Sequence, residues 1–168
     1  MKQAHTHQDN LPFCQITTHE DIPESEALHI DAGLGAANSA AAPLHEVRPL
    51  ACFARSTTGE EQAVGGVIGR TWGQCAELQQ LWVEPAFRQK GIGAQLIRTF
   101  EETALARGCT LCYLETFSFQ APVLYQSMGY EIKLELQGFA PGIVKYVMTR
   151  DLTAAPKPYA SNMGSYNP

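Results

Sequence analysis

The residues best equipped for chemistry lie in one stretch, Leu78-Gln79-Gln80-Leu81-Trp82-Val83-Glu84-Pro85-Ala86-Phe87-Arg88-Gln89-Lys90-Gly91-Ile92-Gly93. Arg88 and Lys90 set two positive charges beside two glycines. A helical pattern then opens at once, with Ile92, Leu96, Ile97, Phe100 and Ala104 on one face. A helix entered through such a loop leaves its first backbone N–H groups without carbonyl partners. Those donors, the positive end of the helix dipole and the two bases make a place for a phosphate, and we read a pyrophosphate-binding loop. A tight turn without a ligand is the plainer reading of the same glycines. A dinucleotide fold does not fit, because Leu96 stands where G-x-G-x-x-G needs its third glycine. Gly33-x-Gly35 has Asn38 in that place and follows no strand, and no Gly-Lys-Ser/Thr exists to make a P-loop.

The strand before the loop must position it. Over residues 75–83, Leu78 falls on one parity, while Leu81 and Val83 fall on the other. A strand alternates faces strictly, so this slip calls for one extra residue, a β-bulge around Gln79-Gln80. Trp82 is apolar on the opposite face and blurs the pattern. A bulge splays a strand from its neighbour and frees main-chain groups for a ligand.

The remaining elements follow from local chemistry. Residues 13–17 are short and mixed, a first strand. Residues 18–26 carry cap candidates, early acids and Pro23, and residues 27–42 read as a helix interrupted by Gly33 and Gly35. Strands at 50–55 and 63–71 flank a hairpin-type turn at 57–61, and Gly65 and Gly66 mark a bulge or a close backbone approach. The helix from Gly91 ends at Arg107-Gly108. Residues 110–115 form a strand apolar on both faces, as in a sheet centre, and residues 120–128 a short helix stopped by Gly129. In residues 131–136, Ile132, Leu134 and Leu136 alternate cleanly and point inward. A turn at 138–142 precedes a closing antiparallel strand at 144–148.

Composition bounds the class. The 168 residues are 45% apolar and 17% charged, which fits a globular protein and argues against wholesale disorder. A net charge of −5 disfavours nucleic acid as a partner and mildly favours a cationic or neutral substrate, although solubility alone explains a charge of this size. Cys14, Cys52, Cys75, Cys109 and Cys112 are odd in number and scattered, which implies a reducing, cytoplasmic setting. Cys112 sits inside an apolar strand run, so Cys109-x-x-Cys112 reads as buried packing and not as a redox dithiol. His5 and His7 lack further ligands nearby, so no metal is expected, and no run is apolar enough for a membrane.

Arg88-Gln89-Lys90-Gly91-Ile92-Gly93 resembles the Q/R-x-x-G-x-G/A loop with which the GCN5-related N-acetyltransferase superfamily holds the pyrophosphate of acetyl-CoA. The later segment from Leu114 resembles the same superfamily's second motif, ending in Tyr125-Gln126-Ser127-Met128-Gly129-Tyr130 as Tyr-x-x-x-Gly-Phe/Tyr. The likeness covers residues 50–148, is weak before residue 45 and absent in the tail. It implies transfer of acetyl from a thioester to a primary amine, carried by a small molecule or peptide, with acetyl-CoA as co-substrate. Tyr125 then stands where the family places the acid that serves the departing thiolate. Glu77 matches in spacing the glutamate that histone-acetylating members use as base through a water, and a solvated strand-face glutamate explains it as well. Glu115 is a second choice, as base or amine anchor. Cofactor contacts are implied for Leu81, Trp82, Val83, Arg88, Gln89, Lys90, Gly91, Ile92 and Gly93. At Ser118 many members carry Asn, which puts that one contact in doubt.

The resulting expectation is an α/β (α+β) fold. One domain at residues 13–152 would hold a mixed sheet of six to seven strands, splayed at a bulged fourth strand and flanked by about four helices. Residues 1–12 form a lead-in and 153–168 a polar tail, ordered only if Tyr159 or Tyr166 docks. The fold permits a homodimer. The acids Glu24, Glu26 and Asp31 suit a cationic acceptor or a solvated helix face. A CoA-binding module without catalysis, or an interaction partner using the tail, are the alternatives.

Overall fold

A computed structural model describes residues 13–57 and 62–154; the lead-in with His5 and His7, most of the 57–61 turn, and the tail with Tyr159 and Tyr166 lie outside the described residues. The chain divides into two units, residues 1–45 and 46–168. The first holds α1 (Glu24–Ala41), which starts after Pro23 and runs unbroken through Gly33 and Gly35. The predicted interruption is absent. Glycine costs a helix about 1 kcal/mol against alanine, a penalty on stability that does not by itself break the hydrogen-bond ladder. Residues 13–17 form no strand beyond an isolated bridge at Cys14. With Phe13 and Ile16 both exposed, the segment has no apolar face to bury.

The second unit is a six-stranded mixed sheet: β1 (Arg48–Arg55), β2 (Ala63–Trp72), β3 (Cys75–Val83), β4 (Leu111–Phe117), β5 (Glu131–Leu136) and β6 (Lys145–Asp151), in the order β1-β2-β3-β4-β6-β5. The bulged strand is therefore the third. All pairs are antiparallel except β3–β4. That parallel pair needs a crossover, and α2 (Ile92–Ala106) supplies it. Its buried residues are Leu96, Ile97, Phe100, Glu101 and Ala104, and the apolar ones pack with Val67, Leu78, Cys112, Leu114 and Met148 from the sheet. Each fully buried large side chain of this kind contributes about 1.5–3 kcal/mol. Arg107 pins the end of α2 to the outer strands, its Nη1 donating to Pro49 O at 3.0 Å and Thr71 Oγ1 at 3.2 Å. A short α3 (Pro122–Ser127) follows β4 and stops at Gly129. No helix among the described residues is long and apolar enough to cross a membrane.

β4 is central, yet burial is confined to Cys112, Leu114 and Thr116, while Tyr113 is half-buried and Glu115 exposed. β5 departs from its expected pattern. Ile132 pairs with Met148 and Leu134 with Val147, so Lys133 is an extra residue. The slip turns Leu134 and Leu136 off the core face, leaving them 49% and 40% exposed. An edge strand tolerates this because its outer side has no neighbour to keep in register.

Candidate active site

The bulge inferred from parity is present. Ile68 pairs with Gln80 and Gly69 with Leu78, so Gln79 is the unpaired extra residue of β3. Sequence reasoning missed what makes room for it. A Cβ on Gly69 would collide with the Glu77 carbonyl and lie 2.8 Å from the Phe100 ring, so β2 must be bare there. The signal was a third glycine, Gly69, after Gly65-Gly66; those two are also close approaches, with Gly66 facing the Phe53 ring.

Below the bulge, β3 and β4 pair from Cys75–Leu111 to Leu78–Leu114, and the pairing ends there. The β4-facing edge of residues 79–83 thus has no strand partner. A cavity of about 710 Å³ occupies this opening. One wall is Gln79 to Val83, the other Glu115 and Thr116; the floor comes from the glycine loop and Tyr125. Of the expected cofactor residues, Leu81, Trp82, Val83, Arg88, Gln89, Gly91, Ile92 and Gly93 line it, whereas Lys90 and Ser118 do not.

The loop's shape follows from its dihedrals. Gln89 (φ 58°) and Gly91 (φ 79°) are both left-handed, and alternation of this sort turns successive N–H groups toward one concavity. No side chain caps α2. The first N–H to reach back is that of Gln95, to Gly91 O at 3.0 Å, which leaves those of Ile92, Gly93 and Ala94 facing the loop. The two bases are already engaged with the backbone. Arg88 Nε donates to Val83 O at 2.9 Å, tying the loop to the splayed strand, and Lys90 Nζ donates to Ala86 O at 3.0 Å above the Phe87 ring.

Tyr125 is 6% exposed and stands edge-on to Tyr130, with ring centroids 5.7 Å apart. Burial first, then the neighbouring Cys112, push its hydroxyl up to about 12, so the phenol holds its proton across the working range. Tyr130 donates to Cys112 Sγ at 3.2 Å, and burial pushes that thiol up to about 12. Cys109 is raised the same way, so the C-x-x-C pair is inert packing.

Glu77 lies on the sheet face opposite α2 and does not line the cavity. Its Oε2 accepts from Arg70 Nε at 2.5 Å and from Gln79 Nε2 at 3.2 Å, and Gln79 does line the cavity. Glu115 lines it directly and is paired with Lys145. Ser118 is committed elsewhere: its N–H donates to Val144 O at 2.8 Å and its Oγ accepts from Val144 N–H at 3.2 Å. A buried pair unseen in the sequence, Arg150 with Glu101 at 2.5 Å, lies behind the tyrosines, and burial raises the Glu101 carboxyl despite the guanidinium.

The split parallel pair and the donor-lined loop lie together on one cavity, in the stretch where the sequence resembles an acetyltransferase. Residues 51–132 match the family model of the acetyltransferase (GNAT) domain. The chain is 31% identical over 145 residues to the blasticidin-S acetyltransferase of Streptomyces morookaense, covering 85% of this chain and 98% of that protein. It is 32% identical over 72 residues to the bovine thialysine N-epsilon-acetyltransferase, which is 41% of this chain and 42% of that one. The structure of an acetyltransferase from Bacillus cereus superposes with a TM-score of 0.66 at 24% identity, over 80% of this chain and 97% of that one. The chain belongs to the GNAT acetyltransferase superfamily, and is by class an acetyl-CoA-dependent N-acetyltransferase.

Proposed function

We propose that the chain moves acetyl from acetyl-CoA to a primary amine by direct attack in the split between β3 and β4. The observation that carries this is the end of strand pairing at Leu78–Leu114, with the glycine loop and Tyr125 on the same cavity. The pyrophosphate sits on the N–H groups of residues 89–94, where dipole and donors converge. The thioester lies along residues 81–83, where the N–H groups of Leu81 and Val83 point away from β2 and polarise its carbonyl as negative charge develops on the oxygen. The amine nitrogen attacks the carbonyl carbon, the C–S bond breaks, and the thiolate leaves toward Tyr125.

The tyrosine's role is sharpened by its environment. A phenol near 12 facing a thiol near 8.5 transfers its proton uphill by about 4–5 kcal/mol, so Tyr125 acts chiefly by hydrogen bonding the developing thiolate. Glu77 takes the amine proton through a water, reached by way of Gln79. Glu115 is a second reading for the base, favoured by its direct place on the cavity wall.

For the acceptor, the 31% relative gives the first compound to try, blasticidin S. A small-molecule or peptide amine, no metal and a cytoplasmic setting complete the reading. The test is thiol release from acetyl-CoA against blasticidin S and a panel of polyamines, amino acids and peptides. Saturable release with at least one amine is expected. Binding of acetyl-CoA without release for any amine would leave only a CoA-binding module.

A further inference from the structure

Beside the cavity stands an aromatic group that acetyl transfer itself does not use. Phe119 stacks on Phe117 with centroids 5.2 Å apart and planes within 10°. Phe139, from the turn before β6, meets Phe117 edge-on at 5.3 Å. Lys145 lies 5.7 Å from the Phe117 centroid while paired with Glu115. Phe117 is therefore covered by its neighbours. The outer face of Phe119 is not: this residue is 66% exposed and lines the cavity.

Its position is fixed by hydrogen bonds on both sides. The two Ser118–Val144 bonds clamp the segment to the start of β6. Gln120 Oε1 accepts from Phe117 N–H at 2.8 Å and from Thr116 Oγ1 at 3.1 Å, and Gln120 N–H returns a bond to Phe117 O. A ring held open to water at a cavity wall forgoes burial, and a flat partner on its free face would restore it. Pre-ordering removes most of the cost of forming such a stack.

We propose that Phe119 selects the acceptor: the amine is carried on a flat unsaturated ring, which stacks on the outer face of Phe119 while the nitrogen reaches the thioester. This rests on the acetyl-transfer reading above. Ser118 is then a positioning residue for Phe119, which accounts for a hydroxyl turned toward Val144 and away from the cavity.

The test compares 2-phenylethylamine with 2-cyclohexylethylamine, equal in reach and differing in flatness, using kcat/KM at saturating acetyl-CoA. Stacking beyond area burial predicts a preference for the phenyl compound of about three- to tenfold. In Phe119→Leu, which keeps an apolar side chain of similar size, that ratio is expected to fall to about one, with KM for acetyl-CoA within about twofold of wild type. Phe119→Tyr should retain the preference. A wild-type ratio near one overturns the proposal. So does a variant whose KM for acetyl-CoA rises while the ratio persists, because the ring would then serve the cofactor. Absence of release with every amine of both panels removes the acetyl-transfer reading itself, and this inference with it.

Discussion

Two bulges in one sheet have opposite consequences. Gln79 interrupts β3 between strands on both sides, and Lys133 interrupts β5 at the sheet's edge. Each is a single extra residue. In β3 the slip is felt by a parallel neighbour, so pairing with β4 ends and a cavity opens. In β5 the outer side is free, so the slip only redirects Leu134 and Leu136. A bulge opens a cavity here because of where its strand sits and what faces it, in this case a bare Gly69 on one side and the glycine loop beyond.

Removing the central bulge should have the largest effect. Deleting Gln79 restores alternation and is expected to abolish acetyl-CoA binding by calorimetry, whereas deleting Lys133 should leave affinity within about threefold, since β5 touches none of the cavity wall. Next, Gly69→Val forces a Cβ against the Glu77 carbonyl and is expected to cost at least about 3 kcal/mol in denaturant unfolding. Tyr125→Phe removes the hydrogen bond to the developing thiolate and is expected to slow thiol release by about a hundredfold or more at little change in acetyl-CoA affinity. Wild-type turnover by that variant would remove Tyr125 from the chemistry.

The pH dependence is a smaller effect with a definite sign. Because the folded hydroxyl of Tyr125 lies near 12 and the unfolded one near 10, the native state holds that proton more tightly. Its contribution to stability is complete below pH about 10 and is lost as pH rises through about 12. Any alkaline fall in rate well below pH 12 must come from another group; a rate profile in which Tyr125→Phe erases a limb near pH 9 would contradict this.

The two bulges also show which features the sequence exposes. The β3 slip was legible because Leu78, Leu81 and Val83 change parity within six residues. The β5 slip was hidden, since Ile132, Leu134 and Leu136 alternate without fault. Parity shows where apolar residues could be buried, and only a neighbour's register decides whether they are. The glycine loop and Tyr125 were readable as spacing along one strand and two helices. Gly69 was not, because its role depends on the carbonyl of a residue in another strand. Nor was the turn of Ser118 toward Val144, or the pairing of Arg150 with Glu101, since both join segments far apart in the chain. Local pattern carried the elements; contacts across the sheet carried the site.

Amide hydrogen exchange with and without acetyl-CoA tests the central claim most directly, because it reports both bulges in one measurement. Protection of at least about tenfold is predicted at residues 80–83 and 89–94, with residues 131–136 unchanged. Unchanged exchange at residues 80–83, or protection centred on β5, would contradict the assignment of the β3 opening as the cofactor site.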